Sequence, residues 1–273
     1  MGSKLLECSP IKDCHGQLKC KIIINELFKS SKEKESFLGK INDFLHSDKT
    51  NEEIYTVTEK YIEYKTEQLI PDKRDNRPQL LLILGNPASH SINSGMFFAS
   101  ESNKSEHRFW KKILKESNIY LSDDDLSLEN KNEDRKRKIL DSDYESPFQI
   151  GLTVFHSMPS GASGAWSGVA GIHKLLGKKA LRRLEHEEKK RILATINEFV
   201  TGKGAVVVFQ KNAWQNLKGA DDHDYDYTTV RKEGITGEVE DRKDIDLICV
   251  PPTRLSGPCS RILRERLTKK LKQ

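Results

Sequence analysis

The side chains best suited to chemistry on a bound ligand sit in four short stretches: 85–99, 156–167, 210–214 and 251–258. The first holds Asn86-Pro87, a carboxamide stiffened by the proline after it. Such an amide orients a water molecule but is no strong general base, and Asn-Pro also serves simply to close a turn. Phe98 offers a flat face for a planar ligand, with Phe97 the alternative if the register slips by one; a core role suits either ring as well. In the second stretch His156 is a candidate donor to a leaving group, although an ordinary loop histidine is the plainer reading. The residues after it, Ser157 to Gly164, are small and leave room for a ligand, and backbone N–H groups ahead of a helix suit a phosphate. Pro251 to Pro258 forms a short, stiff loop in which Thr253, Arg254 and Ser256 can meet anionic oxygens and Leu255 can act as an apolar wedge.

Loops of this kind need a frame. The runs Leu80–Leu84, Ile150–Phe155, Ala205–Phe209 and Ile245–Val250 are nearly continuous apolar stretches, as expected for strands buried on both faces of a parallel sheet. Helical patterns separate them at about 105–117, 164–200 and 259–271. Strands alternating with helices predict an α/β fold: a three-layer α/β/α sandwich around a central, mainly parallel four-stranded sheet. In such sheets ligands collect beyond the carboxyl ends of the strands, which is where all four loops fall. Residues 1–75 read as a helical region packed on the main domain, 76–273. Phe37, Leu38, Ile41, Phe44 and Leu45 form one stripe there, and Ile54, Val57, Tyr61 and Ile62 a second. The polar stretches 121–146 and 218–244 read as surface insertions. Asp221, Asp222, His223, Asp224 and Asp226 lie in the second, where a solvated acidic loop is favoured over a metal site.

The chain carries a net charge of +5, and residues 251–273 alone hold seven basic residues against Glu265, or +6. A basic C-terminal helix beside a candidate loop suits a phosphate backbone, or else is simply solvated. No apolar run is long enough to span a bilayer, and a leader peptide is not expected, so no membrane partner is foreseen. Five cysteines are an odd set without a C-x-x-C pair, which predicts free thiols and no metal site.

The arrangement resembles that of one known family. Leu84-Gly85-Asn86-Pro87-Ala88, then Gly95-Met96-Phe97-Phe98-Ala99, then His107-Arg108-Phe109-Trp110-Lys111 resembles the first motif of uracil-DNA glycosylases, in particular the mismatch-specific uracil/thymine branch. Gly151-Leu152-Thr153-Val154 is similar to that branch's second strand. Val206 to Phe209 with Lys211, Ala213 and Trp214 resembles its third, and Val250 to Gly257 occupies the place of its last motif. The likeness spans about residues 79–272. It departs at three places: Leu84 replaces a glycine, Ala88 replaces another, and the last motif lacks the histidine of the fast uracil-specific branches.

The resemblance implies a monofunctional DNA glycosylase of base excision repair, hydrolysing the N-glycosidic bond of a flipped-out uracil-type base. That reaction builds positive charge on the sugar and negative charge on the departing base. It therefore needs a placed water, donors for the base and a dry pocket. Asn86 would hold the water. Gly85, Pro87, Ala88, Phe98 or Phe97, and His156 would hold the base. Ser160, Lys211, Thr253, Arg254, Leu255, Ser256 and Arg261 would contact DNA, with Arg254 or Leu255 inserted into the stack. No cofactor is implied, because water is the second substrate. The expected partner is DNA carrying a damaged or mismatched base, bound by a monomer at the nucleoid or in the nucleus. Two rival readings remain: a non-catalytic DNA- or nucleotide-binding protein on the same fold, and a Rossmann-type enzyme, for which no G-x-G-x-x-G or G-K-[ST] signature occurs.

Overall fold

The computed structural model describes residues 4–12, 14–101, 103–121 and 125–272 of a mixed α/β chain. It opens with strands β1 (Leu6–Pro10) and β2 (Gln17–Ile23), then helices α1 (Ile24–Leu27), α2 (Ser31–His46) and α3 (Lys49–Ile54). Strands β3 (Tyr55–Val57), β4 (Tyr61–Glu67) and β5 (Gln79–Leu84) lead to α4 (Ser89–Asn93), a π-helical turn at Phe109–Leu114 and α5 (Leu128–Asp141). Strand β6 (Gln149–Val154) precedes α6 (Gly168–Leu176), α7 (Lys178–Phe199) and β7 (Ala205–Val208). Helices α8 (Lys211–Leu217) and α9 (Tyr227–Glu233), strands β8 (Ile235–Val239) and β9 (Arg242–Cys249), and α10 (Ser256–Lys270) complete the order. Two compact units interleave along the chain. The first takes Met1–Gln68, Gly85–Ala99 and Val154–Ile192; the second takes Leu69–Leu84, Ser100–Thr153 and Leu193–Gln273.

In the first unit an antiparallel sheet runs in the order β1-β2-β4-β3. Cys20, Ile22, Ile62, Tyr64 and Thr66 are buried at every second position, while Lys19 and Lys65 are exposed. A period of two belongs to a strand, so the expected helical stripe of Ile54, Val57, Tyr61 and Ile62 is corrected. Only Ile54 of the four lies in a helix, and residues 1–75 are not a helical region. The first stripe does form a helix, α2. Ser30 caps it by accepting from the Glu33 amide at 3.3 Å, and Phe37, Ile41 and Phe44 turn inward. The register of β1 against β2 sets Cys8 opposite Cys20, and the two are joined as a disulfide, which corrects the expectation of five free thiols. An odd total does not exclude one pair. Cys14 is free and exposed, and burial pushes the free thiols of Cys249 and Cys259 up to about 12.

The second unit holds a five-stranded sheet in the order β6-β5-β7-β9-β8. The four expected strands are β5, β6, β7 and β9; β5 pairs with β7, and β7 with β9, in parallel. β8 pairs antiparallel with β9, so the sheet is mixed and five-stranded rather than four-stranded. β8 lies inside 218–244, and α5 inside 121–146, so neither stretch is simply a flexible insertion. Residues 122–124 of the latter lie outside the described residues. Within 218–244, Asp222 accepts from the Gly219 and Glu238 amides at 3.0 and 2.8 Å, so this member of the acidic cluster staples a turn. Among the described residues no three His, Cys, Asp or Glu side chains group as metal ligands, and no helix is long and apolar enough to cross a membrane.

Counted from β5, the strand order reads 2-1-3-5-4 and reverses at β5, and in open sheets of this type ligands bind beyond the carboxyl ends at such a reversal. All six residues of β5 are buried, and the strand runs out at Leu84 into the loop that carries Asn86.

Candidate functional site

The first unit brings the Asn86 loop and the Ser160 loop together. The Gly85 carbonyl accepts from the His156 amide at 2.9 Å, and the Pro87 carbonyl from the Ser160 amide at 3.0 Å. The Ser89 amide returns a bond to the Ser160 carbonyl at 2.9 Å, so Ala88 and Ser160 pair as a short parallel bridge. Behind them, the Ser89 hydroxyl donates to buried Asn51, whose own amide donates to the Phe44 carbonyl at 2.8 Å. Tyr55 donates its hydroxyl to the Pro159 carbonyl at 2.5 Å. Both segments are held by bonds at nearly every residue. Gly85 and Pro87 are buried, while Asn86 and Ala88 are half-buried. The Asn86 Nδ2 donates to Ser160 Oγ at 2.8 Å and to the Pro87 carbonyl at 3.2 Å.

A second network fixes the start of the Ser160 loop. Glu188, on α7 and fully buried, accepts at one oxygen from the Ser157 amide (2.6 Å) and hydroxyl (2.5 Å). Its other oxygen takes Arg191 Nε at 2.7 Å, and Arg191 also donates to the Val154 carbonyl at 2.5 Å. Ser157 has spent its only proton on the carboxylate, so Tyr64, with its oxygen 2.7 Å away, is the donor in their bond. Burial, and then the negative charge of Glu188, raise the Tyr64 hydroxyl far above its ordinary range, which keeps that proton in place.

His156 is 1% exposed, with its ring edge-on to Phe155. Burial and then the nearby Arg191 charge lower its pKa to about 4, so it is neutral at neutral pH. The Glu185 carboxylate, 3.7 Å from Nε2, is beyond hydrogen-bond reach and does not reverse this. A buried neutral imidazole is part of the packing under the loop, which fits the plainer reading of this residue. The two phenylalanines separate as well. Phe97 is 2% exposed and belongs to the core. Phe98 is half-buried and has a φ of 51°, a left-handed conformation that a bulky residue adopts only when its surroundings impose it.

Ser160, expected at a phosphate, is 2% exposed and spends its hydroxyl inside the loop pair. The remaining expected DNA contacts belong to the second unit. Lys211 is exposed at the start of α8, and Arg254 is exposed on the loop 251–255, which is shorter than expected because α10 already takes up Ser256 to Pro258. Thr253, Leu255 and Ser256 are half-buried, with Leu255 donating its amide to the Pro252 carbonyl at 2.8 Å just ahead of α10. Arg261 is exposed but tied down, 3.1 Å from Glu265 and 2.8 Å from the Lys232 carbonyl. Arg266 likewise binds the Glu233 carbonyl, and Lys270 pairs with Asp246 at 2.8 Å. Part of the C-terminal charge therefore fastens α10 to its own unit, while Arg254, Arg264, Lys269 and Lys272 are exposed.

Ser256 also lines a cavity of about 380 Å³ with Arg108, Lys111 and Lys112, faced by Glu101 and Glu106. The hydrogen bond from Arg108 holds the Glu101 carboxyl down at about 2. Lys111 and Lys112 were not among the expected anion contacts. Their signal was the Trp110-Lys111-Lys112 run in the first motif. Compared with protein-family models and with curated proteins, the chain matches none.

Proposed function

We propose that this chain is a DNA glycosylase that hydrolyses the N-glycosidic bond of a flipped-out, uracil-type base, with Asn86 placing the attacking water. With it goes the finer fold assignment, a three-layer α/β/α sandwich of the uracil-DNA glycosylase kind. The observation that carries the reading is the setting of Asn86. It is a half-buried carboxamide, locked by two hydrogen bonds, in the loop that leaves the fully buried strand β5. A fixed amide contributes geometry rather than basicity, and positioning of this kind accounts for up to roughly 7–11 kcal/mol of a barrier when ideal. Phe98, strained and half-exposed, is the better of the two rings for stacking the base, and its contribution is about 1–3 kcal/mol. Arg254 and the exposed charges of α10 supply contacts to the phosphate backbone, and the partner is DNA bearing the damaged or mismatched base.

A second reading, a non-catalytic DNA- or nucleotide-binding protein, is favoured by one observation: His156 and Ser160 are buried against their own chain. Single-turnover reactions on duplexes carrying uracil, a guanine–thymine mismatch, hypoxanthine or ethenocytosine separate the two. Release of one base by the wild type and not by Asn86→Ala supports the glycosylase. Tight binding with no abasic product supports the binder. For either, Arg254→Ala is expected to weaken DNA binding at 0.1 M salt and reduce the slope of log K against log salt by about one. An unchanged slope in a salt titration removes Arg254 from the interface.

A further inference from the structure

We propose that Ser160 is the positioning residue that sets the direction of the Asn86 amide, turning its oxygen toward the attacking water. The inference rests on the glycosylase reading above. Asn86 Nδ2 lies 2.8 Å from Ser160 Oγ and 3.2 Å from the Pro87 carbonyl. A carbonyl oxygen brings no proton, and the Ser160 hydroxyl gives its own to the Gly161 carbonyl, so only the nitrogen end of the amide can face either. Rotating the amide by half a turn would set oxygen against oxygen and lose the bond. Both Nδ2 hydrogens are therefore spent, and Oδ1 is the polar atom left on a half-buried side chain. An acceptor there takes a proton of the water and leaves the water's lone pair directed away from Asn86, as a nucleophile needs.

Ser160 can hold this direction because it is itself fixed. Its hydroxyl oxygen accepts from the Gly168 amide at 2.8 Å, one of the unpaired N–H groups at the start of α6, as well as from Asn86. Its own proton goes to the Gly161 carbonyl at 3.3 Å. Its backbone is clamped on both sides, by the Pro87 carbonyl and the Ser89 amide. At 2% exposure it is shut away from solvent, so it acts through Asn86 rather than on DNA.

The test is a double-mutant cycle on the excised base, read by single-turnover kinetics together with the side-chain amide spectrum of ¹⁵N-labelled protein. Ser160→Ala is expected to slow excision about tenfold, the scale of one hydrogen bond, with the half-saturating DNA concentration unchanged. In the Asn86→Ala background the same change should have no further effect, and Ser160→Thr should recover most of the rate. The Asn86 amide resonance, identified by its loss in Asn86→Ala, should be protected from exchange in the wild type and exposed in Ser160→Ala. A tenfold loss that persists in the Asn86→Ala background, or a matching rise in half-saturation, overturns the proposal and returns Ser160 to DNA binding or to the fold. An amide that is unprotected in the wild type overturns it independently of activity. A protected amide with no base released from any duplex leaves the geometry standing but defeats the glycosylase reading, and the catalytic role of Ser160 with it.

Discussion

Replacing Glu188 by Ala is expected to destabilise the folded chain by about 3–5 kcal/mol, the cost of breaking a buried ion pair from one side. The carboxylate is fully buried and meets three donors: the Ser157 amide, the Ser157 hydroxyl and Arg191 Nε. Its loss takes the carboxylate at 2.7 Å from a guanidinium that is 12% exposed, and the acceptor from the Ser157 amide. Glu188→Gln keeps an acceptor for Ser157 and should cost about half as much. Removing Arg191 together with Glu188 should cost less than the two single changes added, because no buried charge is stranded. Urea unfolding followed by far-UV circular dichroism measures all four. A loss under about 1 kcal/mol for Glu188→Ala would show that the network is not what holds the Ser160 loop.

This network was not legible in the sequence, and the reason is physical. Glu188 sits in His186-Glu187-Glu188-Lys189-Lys190-Arg191, which reads as a solvated charge run until the turn that buries one face of α7 is known. Asn86 was legible because Asn-Pro follows a continuous apolar run after the single residue Gly85, and such a run is a buried strand whichever neighbours it finds. Ser160 is legible as a loop residue but its bonds are not, since its partner lies 74 positions away and no local pattern reports that pairing. The strands of the first unit were misread for a different reason. Their apolar residues alternate with charged ones over seven positions, and Val57, Tyr61 and Ile62 suit a helical spacing as well as a period of two until the pairing strands are known. β8 is not legible because it is an edge strand in which only Val239 is buried. What sequence supplies is the buried core of the parallel strands and the residue types at their ends. What it withholds is every contact that depends on a distant loop.

His156 carries the other large effect, and it should appear as a pH dependence of stability. The imidazole takes a proton near its ordinary 6.5 in the unfolded chain but only near 4 in the fold, because burial and then Arg191 disfavour the cation. Between those values the unfolded state holds more protons, so acid draws the equilibrium toward it. Stability should therefore be unaffected by this group above about pH 7 and fall as pH drops from 6.5 toward 4, by about 3 kcal/mol at the lower end. The groups facing the ring determine the sign. Phe155 offers an apolar edge, Arg191 repels the proton, and Glu185 at 3.7 Å is too distant to hold it by a hydrogen bond. Urea unfolding of wild type and His156→Gln between pH 4 and 8 isolates the imidazole's contribution, since the remaining titratable groups contribute alike to both. The difference between the curves should be flat above pH 7 and shrink in the variant's favour below 6.5. Parallel curves down to pH 4 would mean that His156 is protonated in the folded state. A cation at that position would stand next to Ser157 and the clamped Ser160 loop, and His156 would then regain its candidacy as the donor to a departing base.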